Sequence, residues 1–331
     1  MIESDLKKPM NHLLQVCGLA KAVRGDQLWR PYARPIPILH DIDLNIDAGE
    51  ILGLVGESGS GKTTLARCIL RLIEPDRGTI FFDGVNWGAL DARELRRQRQ
   101  GMQMIFQDAH SALDPRQRIG KSLREPLDIH KIGSPAERMA QVAELLRAVK
   151  LDTELAAHFP HQLSAGQRQR VVLARALALR PKLIMADEPI ASLDVCTQVE
   201  ILDLLQELQR TMGLAMLFIS HSLPIVHRLA QRIAVLYMGR VVEMGTAEQV
   251  CRRPRHPYTQ ALLAAAPKGL GEKLATAPLT IHGHPPSFAD LPTGCAFHSR
   301  CPLAQEHCRE TVPPLRQLYD DGEVACHLVR E

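Results

Sequence analysis

An α/β fold on a mostly parallel sheet, with an antiparallel β-subdomain, an inserted α-helical lobe and a small C-terminal extension, is predicted by three observations. The first is the run GESGSGKT, Gly56 to Thr63, between the apolar ILGLV and the helix-like TLARCILRL. It matches G-x-x-x-x-G-K-[ST] at every fixed position, in the strand-then-helix setting that a phosphate loop needs. The second is the later alternation of short apolar runs (LIMAD, LAMLFIS) with amphipathic helical stretches, which implies right-handed βαβ crossovers and a parallel sheet. The third is a change of period, from strict alternation over Ile38 to Ile46 to helical spacing over Ala136 to Leu151. Sheet and helical segments of different kinds therefore share one chain.

From the N-terminus, LLQVCGL (Leu13 to Leu19) reads as a strand. ILHDIDLNI puts Ile42, Leu44 and Ile46 on one face and Asp41, Asp43 and Asn45 on the other, the pattern of a half-buried antiparallel sheet. The Pro- and Arg-rich stretch from Arg24 to Pro37 is expected to be a loop, and Asp47 to Glu50 a turn. In the phosphate loop, Gly56, Gly59 and Gly61 permit dihedrals and close approach that a Cβ would block, so amides can turn around phosphate oxygens. The following helix adds its positive end. Lys62 is expected on the β- and γ-phosphates and the Thr63 hydroxyl on Mg²⁺, with Glu57, Ser58, Ser60 and Thr64 completing the nucleotide-binding stretch.

After the turn Glu74 to Gly78 and the strand TIFFDG, MQMIFQD brings Gln107 to the end of an apolar run. Val142, Leu145, Leu146 and Val149 then share one helical face, within a lobe expected over about 108–165. That lobe ends at LSAGQ, where Ser164 and Gly166 begin a helix with Val171, Leu173, Ala174 and Leu177 inward. Its N-terminus is a second site suited to an anion. PKLIMADEP is a buried strand ending in Asp187 and Glu188, at the sheet edge where α/β folds bind ligands. ASLD, with Asp194, precedes a helix, LAMLFIS ends in Ser220-His221, and IAVLYM and RVVEM are strands joined at Gly239.

Composition narrows the function classes. At 331 residues the chain exceeds one ordinary core, so two or three folded units are expected. Its 45% apolar and 23% charged content is that of a soluble globular protein, and a net charge of +3 argues against a nucleic-acid polycation. The basic run Arg93 to Arg99 reads as a solvated face. No apolar stretch approaches the 18 residues of a membrane span, and the N-terminus lacks the pattern of a signal peptide. Cys17, Cys68, Cys196 and Cys251 are scattered, as in a reducing compartment, whereas Cys295, Cys301, Cys308 and Cys326 crowd the end of the chain.

Together GESGSGKT, FQD, LSAGQ, LIMADE, SLD at Ser192 to Asp194 and SH at Ser220-His221 resemble, in order and spacing, the ATP-binding subunits of ABC transporters. That resemblance spans about residues 11–250 and implies a P-loop NTPase core that binds ATP and Mg²⁺ and hydrolyses ATP. RHPYTQALLAAAP and GCAFHSRCPLAQEHC, within 251–331, resemble the C-terminal extension of the oligopeptide/dipeptide/nickel importer branch. The resemblance implies that Asp187, with Thr63 and Gln107, holds Mg²⁺ and that Glu188 acts on the attacking water. It also implies that His221 contacts the γ-phosphate, and it adds Ser164, Gly166, Gln167 and Asp194 to the nucleotide-binding set. LSAGQ in this family closes over a nucleotide held by a second subunit, so the implied partners are another ABC ATPase, like or unlike, and two membrane permease subunits. A solute-binding protein is an indirect partner, the location is the cytoplasmic face of the inner membrane, and the solute is a peptide or a similar small molecule. The alternative is a nucleotide-gated ATPase in a soluble complex.

Two residues depart from the pattern. Ala165 stands where LSGGQ has its first glycine, so equal activity of two composite sites does not follow. Val23 stands where an aromatic residue usually stacks on adenine, with Tyr32 or Trp29 as substitutes. The four clustered thiols suggest metal rather than disulfide, yet the C-x-x-C knuckles of zinc sites are missing. The resemblance favours a four-iron cluster, with zinc or unliganded thiols as alternatives and His298, His307 and His327 as further ligands.

Overall fold

The computed structural model describes residues 12–23, 35–107, 112–265, 279, 281, 283–319 and 322–329. It divides into two compact units, one of Met1–Asp47, Ile51–Asp91 and Ser220–Glu331, the other of Ala48–Glu50 and Ala92–Ile219.

The first unit holds an antiparallel sheet of order β2-β1-β4-β5, made of β1 (Leu14–Val23), β2 (Ile36–Ile46), β4 (Arg77–Phe82) and β5 (Val85–Asn86). Ile42, Leu44 and Ile46 are buried while Asp41 and Asp43 are exposed, so the alternation decides the register. Ile36 and Pro37 belong to β2 rather than to the preceding loop. β2 lies at the edge of its sheet, where a proline lacking an amide hydrogen is tolerated.

A second sheet of this unit begins with β3 (Ile51–Val55), parallel to β9 (Arg232–Tyr237). Beyond β9 the pairing turns antiparallel, through β10 (Arg240–Thr246) to β12 (Glu323–Val324) and β11 (Arg316–Gln317). The hairpin between β9 and β10 turns on Met238 and Gly239, at φ 44° and 72°, the two left-handed residues that match strand twist in a tight hairpin. A Cβ at Gly239 would stand 1.9 Å from the Ile38 carbonyl oxygen, so only glycine fits there. The Gly239 amide donates to the Ser60 carbonyl at 2.9 Å, tying this hairpin to the phosphate loop.

The other unit carries β6 (Met102–Ile105), β7 (Leu183–Asp187) and β8 (Ala215–Ser220), all parallel. Its helices include α2 (Ala92–Gln98), α3 (Ile119–His130), α4 (Pro135–Ala148), α5 (Ala165–Leu177) and α6 (Val195–Met212). In α4, Ser134 and Glu137 form a reciprocal capping box with Pro135 at the first turn, which satisfies two otherwise orphaned amides. Val142, Leu145, Leu146 and the C-terminal Val149 are buried as the spacing predicts. In α2 only Leu95 is buried and Arg93, Arg96 and Arg97 face water.

Candidate nucleotide-binding site

The phosphate loop leaves β3 and enters α1 (Lys62–Ile69) through Gly61, which sits at φ 106° and gives the helix no side-chain cap. The first amides of α1 are therefore not capped by a side chain at the position where a helix N-terminus attracts an anion. At Gly56 a Cβ would lie 2.2 Å from the Leu236 carbonyl oxygen and 2.7 Å from Ser60 Oγ. Lys62 is only 5% exposed. Its ammonium is folded inside the loop and donates to the carbonyls of Gly56 at 2.7 Å and Glu57 at 2.8 Å. A cation held this way stands ready for phosphate oxygens, which are stronger acceptors.

Beside Ser58 and Gly59 lies a cavity of about 410 Å³, lined also by Val23, Ile36, Ile38, Met238 and the segment around Phe288. Val23 is the last residue of β1, which runs on past the Leu19 at which the sequence pattern ends the strand. Tyr32 and Trp29 lie outside the described residues. Phe288, from the C-terminal extension, is an aromatic side chain on this cavity that sequence reasoning missed; nothing in its local pattern points there.

In the second unit, Asp187 closes β7 with its side chain buried, and the Glu188 amide donates to the Ile219 carbonyl at 3.0 Å. Glu188 has φ 47°, a left-handed conformation that is uncommon for a residue with a Cβ. Gln107 Nε2 donates to Glu188 Oε2 at 3.4 Å, so two of the residues expected around the attacking water are brought together. Ser164 and Gln167 form a capping box at the start of α5: Ser164 Oγ accepts the Gln167 amide at 3.2 Å and Gln167 Oε1 the Ser164 amide at 2.9 Å. The serine hydroxyl still has its own hydrogen to offer an anion. Ala165 is exposed, whereas a Cβ on Gly166 would come within 2.7 Å of Thr197 Cγ2. The chain thus accommodates a methyl group at the first of these positions and not at the second.

Asp194 is the N-cap of α6, accepting from the Thr197 amide at 3.0 Å and the Thr197 hydroxyl at 2.7 Å. Those bonds, the amide first, hold its carboxyl below the usual range. His221 follows β8 and is exposed. Lys62, Thr63 and His221 belong to the first unit, and Gln107, Asp187, Glu188, Ser164, Gly166, Gln167 and Asp194 to the second.

The HPYT sequence has a structural role. The buried Glu243 carboxylate accepts the backbone amides of Arg255 at 2.7 Å and His256 at 3.0 Å, just ahead of α9 (Pro257–Ala265). His256 Nδ1 accepts the Tyr258 amide at 3.0 Å. Burial pulls His256 down to about 3, so its ring is neutral, and pushes Glu243 up to about 7.

Cys295, Cys301, Cys308 and Cys326 line one small cavity of about 10 Å³, room for about one water. Among the described residues no three His, Cys, Asp or Glu side chains form a group able to hold a metal ion. Burial pushes the Cys295 thiol up to about 11 and raises Cys301 and Cys326. The rings of His298 and His327 bond to the carbonyls of Cys295 and Thr311 at 2.9 and 2.8 Å. The expected iron–sulfur or zinc site is not met by these side chains as they stand.

A phosphate loop between strand and helix, and a carboxylate pair at the end of a parallel strand, define a nucleotide-binding α/β protein of the P-loop class. Residues 39–191 match the family described as ABC transporter, and residues 242–308 match the oligopeptide/dipeptide transporter C-terminal region. A Brucella ovis protein named for peptide import and ATP binding is 46% identical over 314 residues, covering 95% of this chain and 97% of that one. A Sinorhizobium fredii protein, named as a peptide ABC transporter ATP-binding protein, is 43% identical over 319 residues, covering 96% of this chain and 90% of that one. Among solved structures, cbiO1 from Clostridium perfringens, part of the cbiONQ transporter complex, aligns with TM-score 0.64 at 26% identity, over 73% of this chain and 91% of that one. The dimeric ATP-binding cassette MJ0796 bound to ADP and Pi aligns with TM-score 0.63 at 31% identity, over 71% of this chain and 98% of that one. The chain belongs to the ABC transporter family, as an ATP-binding and ATP-hydrolysing subunit. Among the described residues no helix is long and apolar enough to cross a membrane.

Proposed function

We propose that this chain energises import of peptides or similar small solutes, as one half of a pair of ATPase subunits. The observation that carries this is the Lys62 ammonium seated inside an uncapped phosphate loop, in a chain matched along nearly its whole length by relatives named for peptide import or as a peptide ABC transporter. The loop from Gly56 to Thr64 takes the phosphates. Thr63, Gln107 and Asp187 offer the hydroxyl, amide and carboxylate oxygens that would hold a hard cation; Mg²⁺, when bound, would supply neutralisation of phosphate charge. Glu188 accepts the proton of the attacking water, Gln107 orients that water, and His221 meets the γ-phosphate. The α5 N-terminus, with Ser164, Gly166 and Gln167, closes on a nucleotide held by the companion subunit, so ATP favours the closed pair and hydrolysis releases it.

Two permease subunits receive the resulting motion, at the cytoplasmic face of the membrane and downstream of a solute-binding protein. Phe106, next to Gln107, and Ile129 and Met139, on α3 and α4, are 42%, 52% and 54% exposed, which leaves apolar side chains of this segment and lobe open to a permease. Reconstitution with the permeases is expected to give ATP-dependent peptide uptake; a chain that hydrolyses ATP only in a soluble complex and binds no permease overturns the importer reading.

The nucleobase is assigned to the cavity beside Ser58, against Phe288. Aromatic stacking on a base contributes about 1–3 kcal/mol, so Phe288→Ala is expected to raise KM for ATP by about tenfold with kcat little changed. An unchanged KM removes Phe288 from the site. For the extension's thiols, convergence on one cavity supports a four-iron cluster or zinc. Stoichiometric iron or zinc in anaerobically purified protein decides between them.

A further inference from the structure

Glu57, the second residue of the phosphate loop, has all of its polar groups engaged. Its carbonyl accepts Lys62 Nζ at 2.8 Å and the Ser60 amide at 3.2 Å. Its amide donates to Tyr258 Oη at 2.8 Å. Its carboxylate receives both arms of the Arg300 guanidinium, at 2.9 and 3.0 Å. Tyr258 belongs to the HPYT helix and Arg300 to the segment between Cys295 and Cys301, so both partners come from the C-terminal part of the chain. They are themselves rigidly placed. The rings of Tyr237, Tyr258 and Phe297 pack on one another with centroids 4.6 to 5.4 Å apart. The guanidinium lies 5.9 Å from the Tyr237 ring centre and 6.0 Å from that of Phe297.

We infer that the C-terminal extension is a working part of the ATP site, with Arg300 and Tyr258 as positioning residues that hold Glu57 and, through it, the phosphate loop. The inference rests on the nucleotide site proposed above and adds to it. A bidentate guanidinium–carboxylate pair fixes both orientation and distance. The Tyr258 hydroxyl fixes the backbone where the chain leaves β3 to begin the loop. Charge gives the pair a second task. A carboxylate at the second position of a loop that must hold a triphosphate repels the ligand unless it is neutralised, and Arg300 neutralises it. The HPYT sequence and the Arg300 segment are thereby given one purpose, presentation of two side chains to one residue.

The test uses the purified full-length chain, MgATP binding by calorimetry and thermal unfolding. Arg300→Gln leaves the Glu57 charge unpaired and is expected to weaken MgATP binding by about tenfold, in keeping with loss of one partner of a partly buried, hydrogen-bonded charge pair. Arg300→Gln combined with Glu57→Gln removes the charge as well and is expected to recover affinity to within about threefold of the parent. A role confined to stability predicts instead a lowered melting temperature in both variants with MgATP affinity unchanged from the parent in each. Tyr258→Phe, which deletes one hydroxyl inside an intact aromatic cluster, is expected to weaken MgATP binding about threefold to tenfold. It also keeps the question decidable if Arg300→Gln does not fold. Lys62→Ala is the control. If it still binds MgATP, the site itself is misassigned; if it does not, and Arg300→Gln and Tyr258→Phe bind like the parent, the inference about the extension fails alone.

Discussion

Glu188→Gln is expected to bind MgATP with the affinity of the parent and to hydrolyse it at least about a hundredfold more slowly, the usual contribution of a positioned general base. The exchange keeps the shape of the side chain and leaves an oxygen able to accept the bond that Gln107 Nε2 now gives Glu188. It removes the one property that the proposed role of Glu188 needs, a carboxylate able to take a proton from water. The φ of 47° at this position is a backbone feature that the exchange does not touch, so the loss is chemical and not conformational. With hydrolysis blocked, the ATP-bound closed pair has no exit. Size-exclusion chromatography in MgATP is then expected to shift this variant to the dimer while the parent remains monomeric. Ordinary turnover by Glu188→Gln would exclude this carboxylate as the base.

Lys62→Ala is expected to lower MgATP affinity by at least about a hundredfold, because it deletes a buried charge from the centre of an anion site. The 5% exposure of Lys62 is what makes the effect large, since little water stands by to screen the attraction. Lys62→Arg is expected to fail almost as badly. A planar fork cannot replace a compact ammonium that reaches two carbonyls, those of Gly56 and Glu57, at 2.7 and 2.8 Å. Calorimetric titration with MgATP measures both variants. Retained affinity in Lys62→Ala would move the phosphates elsewhere.

Much of the fold was legible because its signals are local. Alternation over β2 is written in consecutive residues, and so is the helix start at Ser164. The glycines of the phosphate loop are equally readable, since a positive φ or a close carbonyl is a demand on one residue at a time. Local reading also placed Gln107, Asp187 and Glu188 at or just beyond strand ends. It could not show that Gln107 reaches Glu188 across 81 residues. Asp194 illustrates the converse. The resemblance implied nucleotide contact for it, and only the folded chain shows its carboxylate as the cap of α6.

The C-terminal part was the least legible. Four cysteines in a short stretch suggest a ligand set by spacing alone, but ligation depends on where side chains point. HPYT looked like a family signature with no stated task. The sequence by itself determined that this chain has a phosphate loop, a parallel strand ending in two carboxylates and a second anion-suited helix start, because each is a short-range pattern of backbone and side-chain preferences. Only the tertiary structure decided that Glu57 meets Tyr258 and Arg300, 201 and 243 residues further along. The reason is geometric: hydrogen bonds and ring packing depend on distances in space, and no periodicity in a linear chain encodes which distant residues will share one.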